Sequence, residues 1–206
     1  MAELPRYRAS EGRESEGRGS KGRRVVGVLG SARISPEDPR YAGAVLVGRR
    51  LAEAGYGVMS GGYGGLMEAV SRGAAEAGGE VIGLPVRRWP DLAPNPWLTD
   101  LIWVDSFVGR LPVLASCVAL VALDGGIGTL AEIAVAWADR QTDPDVTPPL
   151  ILVGPAWRAI LGAVESNLVV GPHDLALARW VAGPEDVVPA VFDALAASTP
   201  IGEPRG

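Results

Sequence analysis

The chain has 206 residues, 48% of them hydrophobic, and a formal net charge of −5. This length suffices for one domain with a substantial core, and the negative charge argues against nonspecific nucleic-acid binding by the whole body. The single cysteine, Cys117, excludes an internal disulfide, and the single histidine, His173, argues against a His-cluster metal site or a Ser-His-Asp triad.

The N-terminal segment differs from the rest of the chain in its charge. Residues 1–24 carry seven Lys or Arg side chains against four Asp or Glu, with few apolar residues between them. We therefore predict a disordered basic tail over residues 1–23, followed by a domain over residues 24–200. A basic arm that touches RNA or a membrane is the alternative, and charge alone supports it.

No apolar segment follows this charged start, so the sequence predicts no secretory signal and a cytoplasmic location. The longest apolar run, residues 111–123, is too short to span a membrane.

From residue 24 onward, short apolar runs alternate with helical periodicity. The predicted strands cover residues 24–29, 58–60, 80–84, 118–123 and 150–153, with a further short apolar run at 102–104. The predicted helices cover residues 40–54, 66–77, 107–115, 129–139, 155–164 and 184–197. Residues 85–100 form a proline- and tryptophan-rich connection without periodicity. This alternation predicts an α/β fold, a Rossmann-like doubly wound parallel sheet in a single domain.

Three glycine turns follow predicted strands, and in such a sheet they meet at the carboxyl edge, where ligands bind. The third turn leads into a helix predicted to start at Thr129, and a glycine turn before a helix N-terminus is typical of a phosphate or carboxylate site. We therefore expect a nucleotide-type ligand. The candidate binding residues are Gly30, Ser31, Gly61, Gly62, Gly64, Gly125, Gly126, Gly128 and Thr129.

Two common nucleotide motifs are missing from the chain. A P-loop needs Gly-Lys-Ser/Thr, but the only lysine is Lys21 in the N-terminal segment. A dinucleotide fingerprint needs three spaced glycines after the first strand and an acidic residue after the second. Here the first turn offers only Gly27 and Gly30, and the second strand ends in Gly61-Gly62. Dehydrogenase chemistry is therefore disfavoured.

Four motifs in order carry a resemblance to a known family: Gly30-Ser31-Ala32, Ser60-Gly61-Gly62-Tyr63-Gly64-Gly65-Leu66-Met67-Glu68-Ala69-Val70, Ala77-Gly78-Gly79-Glu80-Val81-Ile82-Gly83, and Gly125-Gly126-Ile127-Gly128-Thr129-Leu130-Ala131-Glu132. Over about residues 24–165 the chain resembles the LOG ("Lonely Guy") family, formerly mislabelled as lysine decarboxylases. The resemblance implies a Rossmann-like homodimer that hydrolyses the N-glycosidic bond of a nucleoside 5′-monophosphate such as AMP, releasing the base, in some members a cytokinin, and ribose 5-phosphate. A related branch carries molybdenum cofactor without turnover.

By this resemblance Glu132 is the catalytic glutamate, assisting water at the ribose carbon, and Arg110 stabilises charge; no metal or cofactor is required. Two positions depart from the enzymes. Asp124 replaces a proline, and an ungapped count places the arginine position on Gly109, one residue before Arg110.

The candidate residues also have structural interpretations that involve no ligand. Thr129 and Glu132 have the spacing of a helix capping box, which needs no ligand. In this interpretation Arg110 is a surface residue, Arg33 is a solvated loop arginine, and Ser31 is a helix cap. Trp89, Trp97 and Trp103 cover the crevice, line a dimer contact or pack in the core.

The functional prediction is a nucleoside-monophosphate phosphoribohydrolase. The alternative is a non-catalytic nucleotide or molybdenum-cofactor carrier, which Asp124 and the displaced Arg110 favour. A nucleic-acid binder acting through the basic tail is a third interpretation.

Overall fold

The structure, a computed structural model, describes residues 24–197. The predicted tail over residues 1–23 and the end of the predicted domain, 198–200, lie outside the described residues. Within the part that is described, no helix has the length and apolar character needed to cross a bilayer.

The described residues form a seven-stranded sheet in which every strand pair is parallel. Its order is β4-β3-β2-β1-β5-β6-β7. The strands are β1 Val25–Leu29, β2 Gly57–Ser60, β3 Val81–Gly83, β4 Asp100–Leu101, β5 Ala119–Ala122, β6 Leu150–Val153 and β7 Ala178–Val181. The strand order reverses at β1, which pairs with β2 on one side and β5 on the other. The predicted doubly wound Rossmann-like sheet is confirmed.

Helices cover both faces of this sheet. They are α1 Pro39–Glu53, α2 Leu66–Glu76, α3 Leu111–Leu114, α4 Ile127–Thr142, α5 Pro155–Asn167, α6 Pro172–Ala176 and α7 Val187–Ala197, with 3-10 turns at Val108–Arg110 and Pro184–Asp186. One buried layer joins the sheet to α1, α2 and α7, and the other joins it to α4 and α5. Side chains alternate between the layers along each strand; in β1, Val28 belongs to the first layer and Leu29 to the second.

Helices α1 and α2 approach each other closely because each carries a glycine at the contact. A Cβ on Gly48 would overlap the carbonyl oxygen of Val70, and a Cβ on Gly73 would overlap that of Val45. The start of α2 is fixed in the same way: Gly65 has a φ of +67°, and a Cβ there would overlap the Ser31 carbonyl. This packing sets the distance between the turns that follow β1 and β2.

Several element boundaries differ from the prediction. Strands β4 and β7 and helix α6 were not predicted, and the predicted helix 107–115 is a 3-10 turn followed by the single helical turn α3. Helix α4 begins at Ile127, two residues before the predicted start, and continues to Thr142. The predicted helix 184–197 opens with a 3-10 turn before α7. The run at 102–104 follows β4 and contributes only the bridge between Val86 and Val104.

Candidate functional site

A cavity of about 440 Å³ opens at the carboxyl edge of the sheet, where β1 and β5 lie side by side and their loops diverge. This volume lies in the range of small-molecule sites. Three of the glycine-rich segments named above contribute to it, since Gly30, Gly61 and Gly126 all line its wall. The crevice thus lies at the reversal point of the sheet, the position where ligands bind in open α/β folds.

The N-terminus of α4 forms one end of the cavity. Its N-cap, Gly126, has an extended backbone with φ −103° and ψ −159°, and no side chain caps the helix. Gly126, Ile127, Gly128 and Thr129 all line the cavity. The first backbone N–H groups of a helix have no intrahelical acceptor, and the helix dipole adds positive potential there. The arrangement suits a phosphate or another anion.

The two neighbouring glycines of this turn, Gly125 and Gly126, have different surroundings. A Cβ on Gly125 would overlap the side chain of Thr129, so Gly125 makes room for packing beneath the turn. A Cβ on Gly126 would meet nothing within 4 Å, so this position opens onto free space. Gly125 is outside the cavity lining, whereas Gly126 belongs to it.

The capping-box interpretation of Thr129 and Glu132 is wrong. A capping box needs Thr129 at the N-cap, but the helix starts earlier and Thr129 is its third residue. Both side chains are buried, with 5% of Thr129 and 7% of Glu132 exposed. Glu132 instead faces the cavity from the second turn of the helix.

Glu132 pairs with Arg110 at the inner wall of the cavity. The Nη1 atom of Arg110 lies 3.7 Å from Oε1 of Glu132. The guanidinium also donates to two backbone carbonyls, from Nε to Leu84 at 2.9 Å and from Nη2 to Gly61 at 3.3 Å. Arg110 is 5% exposed, so the surface interpretation of this residue is wrong. Arg110 is the last residue of the 3-10 turn Val108–Arg110, and it lies beside Glu132 despite the displaced sequence position.

Burial dominates the electrostatics of this pair. It raises the pKa of the Glu132 carboxyl from 4.5 to about 7, with the Arg110 charge acting in the opposite direction. Burial likewise lowers the pKa of Arg110, and Glu132 opposes that change. A carboxyl that titrates near neutral pH can accept or release a proton at the cavity wall.

Aromatic rings form the wall between the two ends. The Trp89 ring lies 6.0 Å from that of Tyr63 and 6.5 Å from that of Phe107, centroid to centroid. Phe107 in turn reaches α4, since its Cε2 would lie 3.6 Å from a Cβ on Gly128. Sequence patterns did not single out Tyr63, which stands in a glycine turn, or Phe107, which stands at the first position of the predicted helix 107–115. The position of Tyr63 inside a glycine turn was the available clue.

The other two candidate tryptophans lie outside the cavity lining. Trp97 is half-buried under the guanidinium of Arg72, and Trp103 is exposed beneath that of Arg87. Of the three tryptophans in this part of the chain, Trp89 alone lines the cavity within residues 24–197.

The loop after β1 brings Ser31 and Arg33 to the cavity. The Ser31 hydroxyl accepts from the Arg33 backbone N–H at 3.1 Å, closing a local turn. The helix-cap interpretation of Ser31 is wrong, because α1 begins at Pro39 with Asp38 as its N-cap. Arg33 is exposed, so its charge stands at the mouth of the site.

Gly62 and Gly64 are not among the lining residues. Gly62 has a φ of +81°, and a Cβ there would lie 3.1 Å from the Cα of Gly83, so its glycine serves the turn. Asp124 also lies outside the lining; its backbone carbonyl accepts from the Ser31 N–H at 2.9 Å, which joins the loops after β1 and β5.

A metal-ligand cluster and the Cys117 thiol are two further candidates for parts of a site within the described residues. Among residues 24–197, no group of three or more His, Cys, Asp or Glu side chains is placed to hold a metal ion. Cys117 is buried away from the cavity, and burial raises the pKa of its thiol to about 12, which leaves it unreactive.

The sequence was compared with protein families and with known proteins. A model of the SLOG cluster4 family matches residues 23–142. An uncharacterized protein of Archaeoglobus fulgidus is 34% identical over 130 residues, which cover 63% of this chain and 83% of that protein.

Two solved structures have similar folds. The molybdenum cofactor binding protein of Rippkaea orientalis matches with a TM-score of 0.68 and 21% identity, over 84% of this chain and 98% of that one. The molybdenum cofactor carrier protein of Chlamydomonas reinhardtii matches with a TM-score of 0.67 and 25% identity, over 84% of this chain and 99% of that one. These likenesses concern the fold, whereas the family model spans more than half of the chain and shows that the protein belongs to the SLOG cluster4 family.

Proposed function

We propose that this protein binds a phosphorylated heterocyclic ligand, a nucleotide or a pterin-type cofactor, and acts as its carrier. One observation carries the proposal: a single cavity joins the uncapped N-terminus of α4 to an aromatic wall. The helix N-terminus would take the phosphate. The rings would contact the heterocycle.

The carrier function is supported by how Arg110 is already engaged. Its guanidinium donates to two backbone carbonyls and lies beside Glu132, so its N–H groups are already engaged within the protein. The fold also matches proteins described as binding or carrying molybdenum cofactor. Such a cofactor would be held through its phosphate at the N-terminus of α4 and through its pterin ring at the aromatic wall.

A second function, hydrolysis of a nucleoside 5′-monophosphate, is favoured by the position of Glu132 on the cavity wall. In this reaction Glu132 would accept a proton from water as the water oxygen bonds to the anomeric carbon. The N-glycosidic bond would break, and the base would leave with the bond electrons and gain a proton. Arg110 would stabilise the charge that develops, and no metal is required.

The two functions separate in one experiment on the full chain. Purified protein is titrated by calorimetry with AMP, GMP and molybdenum cofactor released from a molybdoenzyme, and the nucleotide mixtures are assayed for free base and ribose 5-phosphate. Binding without release supports the carrier. Release that disappears in Glu132→Gln but persists in Glu165→Gln, an exposed glutamate of α5, supports the hydrolase. The absence of both binding and release would contradict both functions.

We also propose that the protein is a cytoplasmic homodimer, as the LOG resemblance implies. An apolar groove between α4 and α5, which includes Leu130, Trp137 and Ile160, supports a protein contact on that face. Sedimentation equilibrium tests the oligomeric state, and a monomer at every concentration contradicts this proposal.

A further inference from the structure

The tryptophans of this protein differ in how their indole N–H groups are used. Trp137, Trp157 and Trp180 each donate to a backbone carbonyl, at 2.7, 2.9 and 2.8 Å, so packing and hydrogen bonding fix all three. Trp89 is 36% exposed and lines the cavity. Within residues 24–197, no protein group accepts from its indole. The exposed part of its ring and its donor are therefore open to a ligand.

The backbone of Trp89 is held in place although it lies in an irregular connection between β3 and β4. Its N–H donates to the carbonyl of Val86 at 3.0 Å, and its own carbonyl accepts from Leu92 at 3.1 Å. The N–H of Val86 donates to the Tyr63 hydroxyl at 2.8 Å, which ties this turn to the turn after β2. An aromatic ring presented from a fixed backbone loses little conformational entropy on binding.

The surroundings of the indole suit a planar ring system. Tyr63 and Phe107 extend the aromatic wall on either side, and the Arg110 guanidinium carbon lies 5.2 Å from the Trp89 ring centroid. The same arginine pairs with Glu132, so the wall and the buried ion pair are contiguous. Phe107 connects this wall to the N-terminus of α4.

We propose that Trp89 is the specificity-determining platform of the site: the ligand's purine or pterin ring stacks on its indole while the phosphate occupies the N-terminus of α4. This inference rests on the proposed function. A bicyclic ring covers more of an indole than a monocyclic ring does, so the site prefers purine and pterin ligands to pyrimidines.

The experiment compares the full-length wild type with Trp89→Ala, Trp89→Phe and Trp103→Ala by calorimetry. Trp103 is a matched control, because it is 40% exposed and lies outside the cavity lining. The probes are GMP and neopterin monophosphate, UMP as a monocyclic ligand, and ribose 5-phosphate as a ligand without a ring. Melting temperatures report on the folding of each variant.

Trp89→Ala is expected to weaken GMP or neopterin monophosphate by about 5- to 150-fold, the effect of losing one stacked base, and to leave ribose 5-phosphate unchanged. The preference for bicyclic over monocyclic rings disappears with it. Trp89→Phe retains most of the affinity, and Trp103→Ala retains all of it.

An equal loss for ribose 5-phosphate and GMP overturns the proposal, because Trp89 would then merely shape the site. Unchanged GMP and neopterin monophosphate affinity in Trp89→Ala overturns it as well. A wild type that binds none of the four probes overturns the proposed function, and the role of Trp89 with it.

Discussion

Replacing Glu132 with glutamine is expected to remove a pH-dependent part of the protein's stability. Burial raises the pKa of this carboxyl from 4.5 to about 7, so the folded state holds the proton more tightly than the unfolded state does. The contribution is fully present below about pH 4.5 and is lost as the pH rises through about 7. The difference between the two pKa values corresponds to about 3 kcal/mol, at 1.36 kcal/mol for each pKa unit.

The assay is urea unfolding of wild type and Glu132→Gln between about pH 5 and about pH 8. Other titrating groups are common to both proteins, so subtracting the two free energies of unfolding isolates Glu132. Replacing the protonated carboxyl by an amide adds an offset that does not titrate in this range. The wild-type advantage over Glu132→Gln is expected to fall by up to about 3 kcal/mol as the pH rises.

The direction of this change decides between two physical effects. If the wild-type advantage rises with pH, the Arg110 charge outweighs burial and holds the carboxylate ionised. If it stays constant, the Glu132 pKa is the same in the folded and unfolded states. Either result would refute the assignment of Glu132 as a carboxyl that titrates near neutral pH.

The glycine contacts give two further predictions with internal controls, all measured by urea unfolding. Gly125→Ala is expected to lose about 1–3 kcal/mol because its Cβ overlaps Thr129. Gly126→Ala, whose Cβ meets nothing within 4 Å, is expected to lose about 1 kcal/mol or less; an equal loss in both contradicts the packing role of Gly125. Gly48→Ala is expected to lose about 3 kcal/mol or more, since the overlapping atom is backbone. Gly162→Ala, on the open face of α5, is expected to gain about 1 kcal/mol, and a gain in both variants would contradict the close helix contact.

The sheet could be predicted from the sequence because its central strands are continuous apolar runs separated by helical periodicity. Strand β7 escaped prediction because only the two ends of Ala178–Val181 are buried, which leaves no apolar run to recognise. The start of α4 was misplaced because Gly128 lies inside the helix, where glycine ordinarily indicates a turn. Boundaries of this kind depend on backbone geometry that residue types alone do not fix.

The position of the site was predictable from the rule that ligands bind beyond the carboxyl ends of strands, but its composition was only partly so. Counting residues back from Gly125 displaced Arg110 by one position, and such a count cannot show which buried side chain lies beside Glu132. Tyr63 and Phe107 reach the cavity through irregular segments, and no periodic pattern marks which side chains of such segments turn inward.

The position of the cavity over the junction of β1 and β5 has a mechanical consequence. One wall comes from segments that precede β5 in the chain, and the other comes from the turn after β5 and from α4. A bound ligand therefore contacts both halves of the chain, whose described parts of the sheet are joined only by the pairing of β1 with β5. Separating β1 from β5 would require releasing the ligand. Binding should therefore slow amide hydrogen exchange in β1 and β5 together.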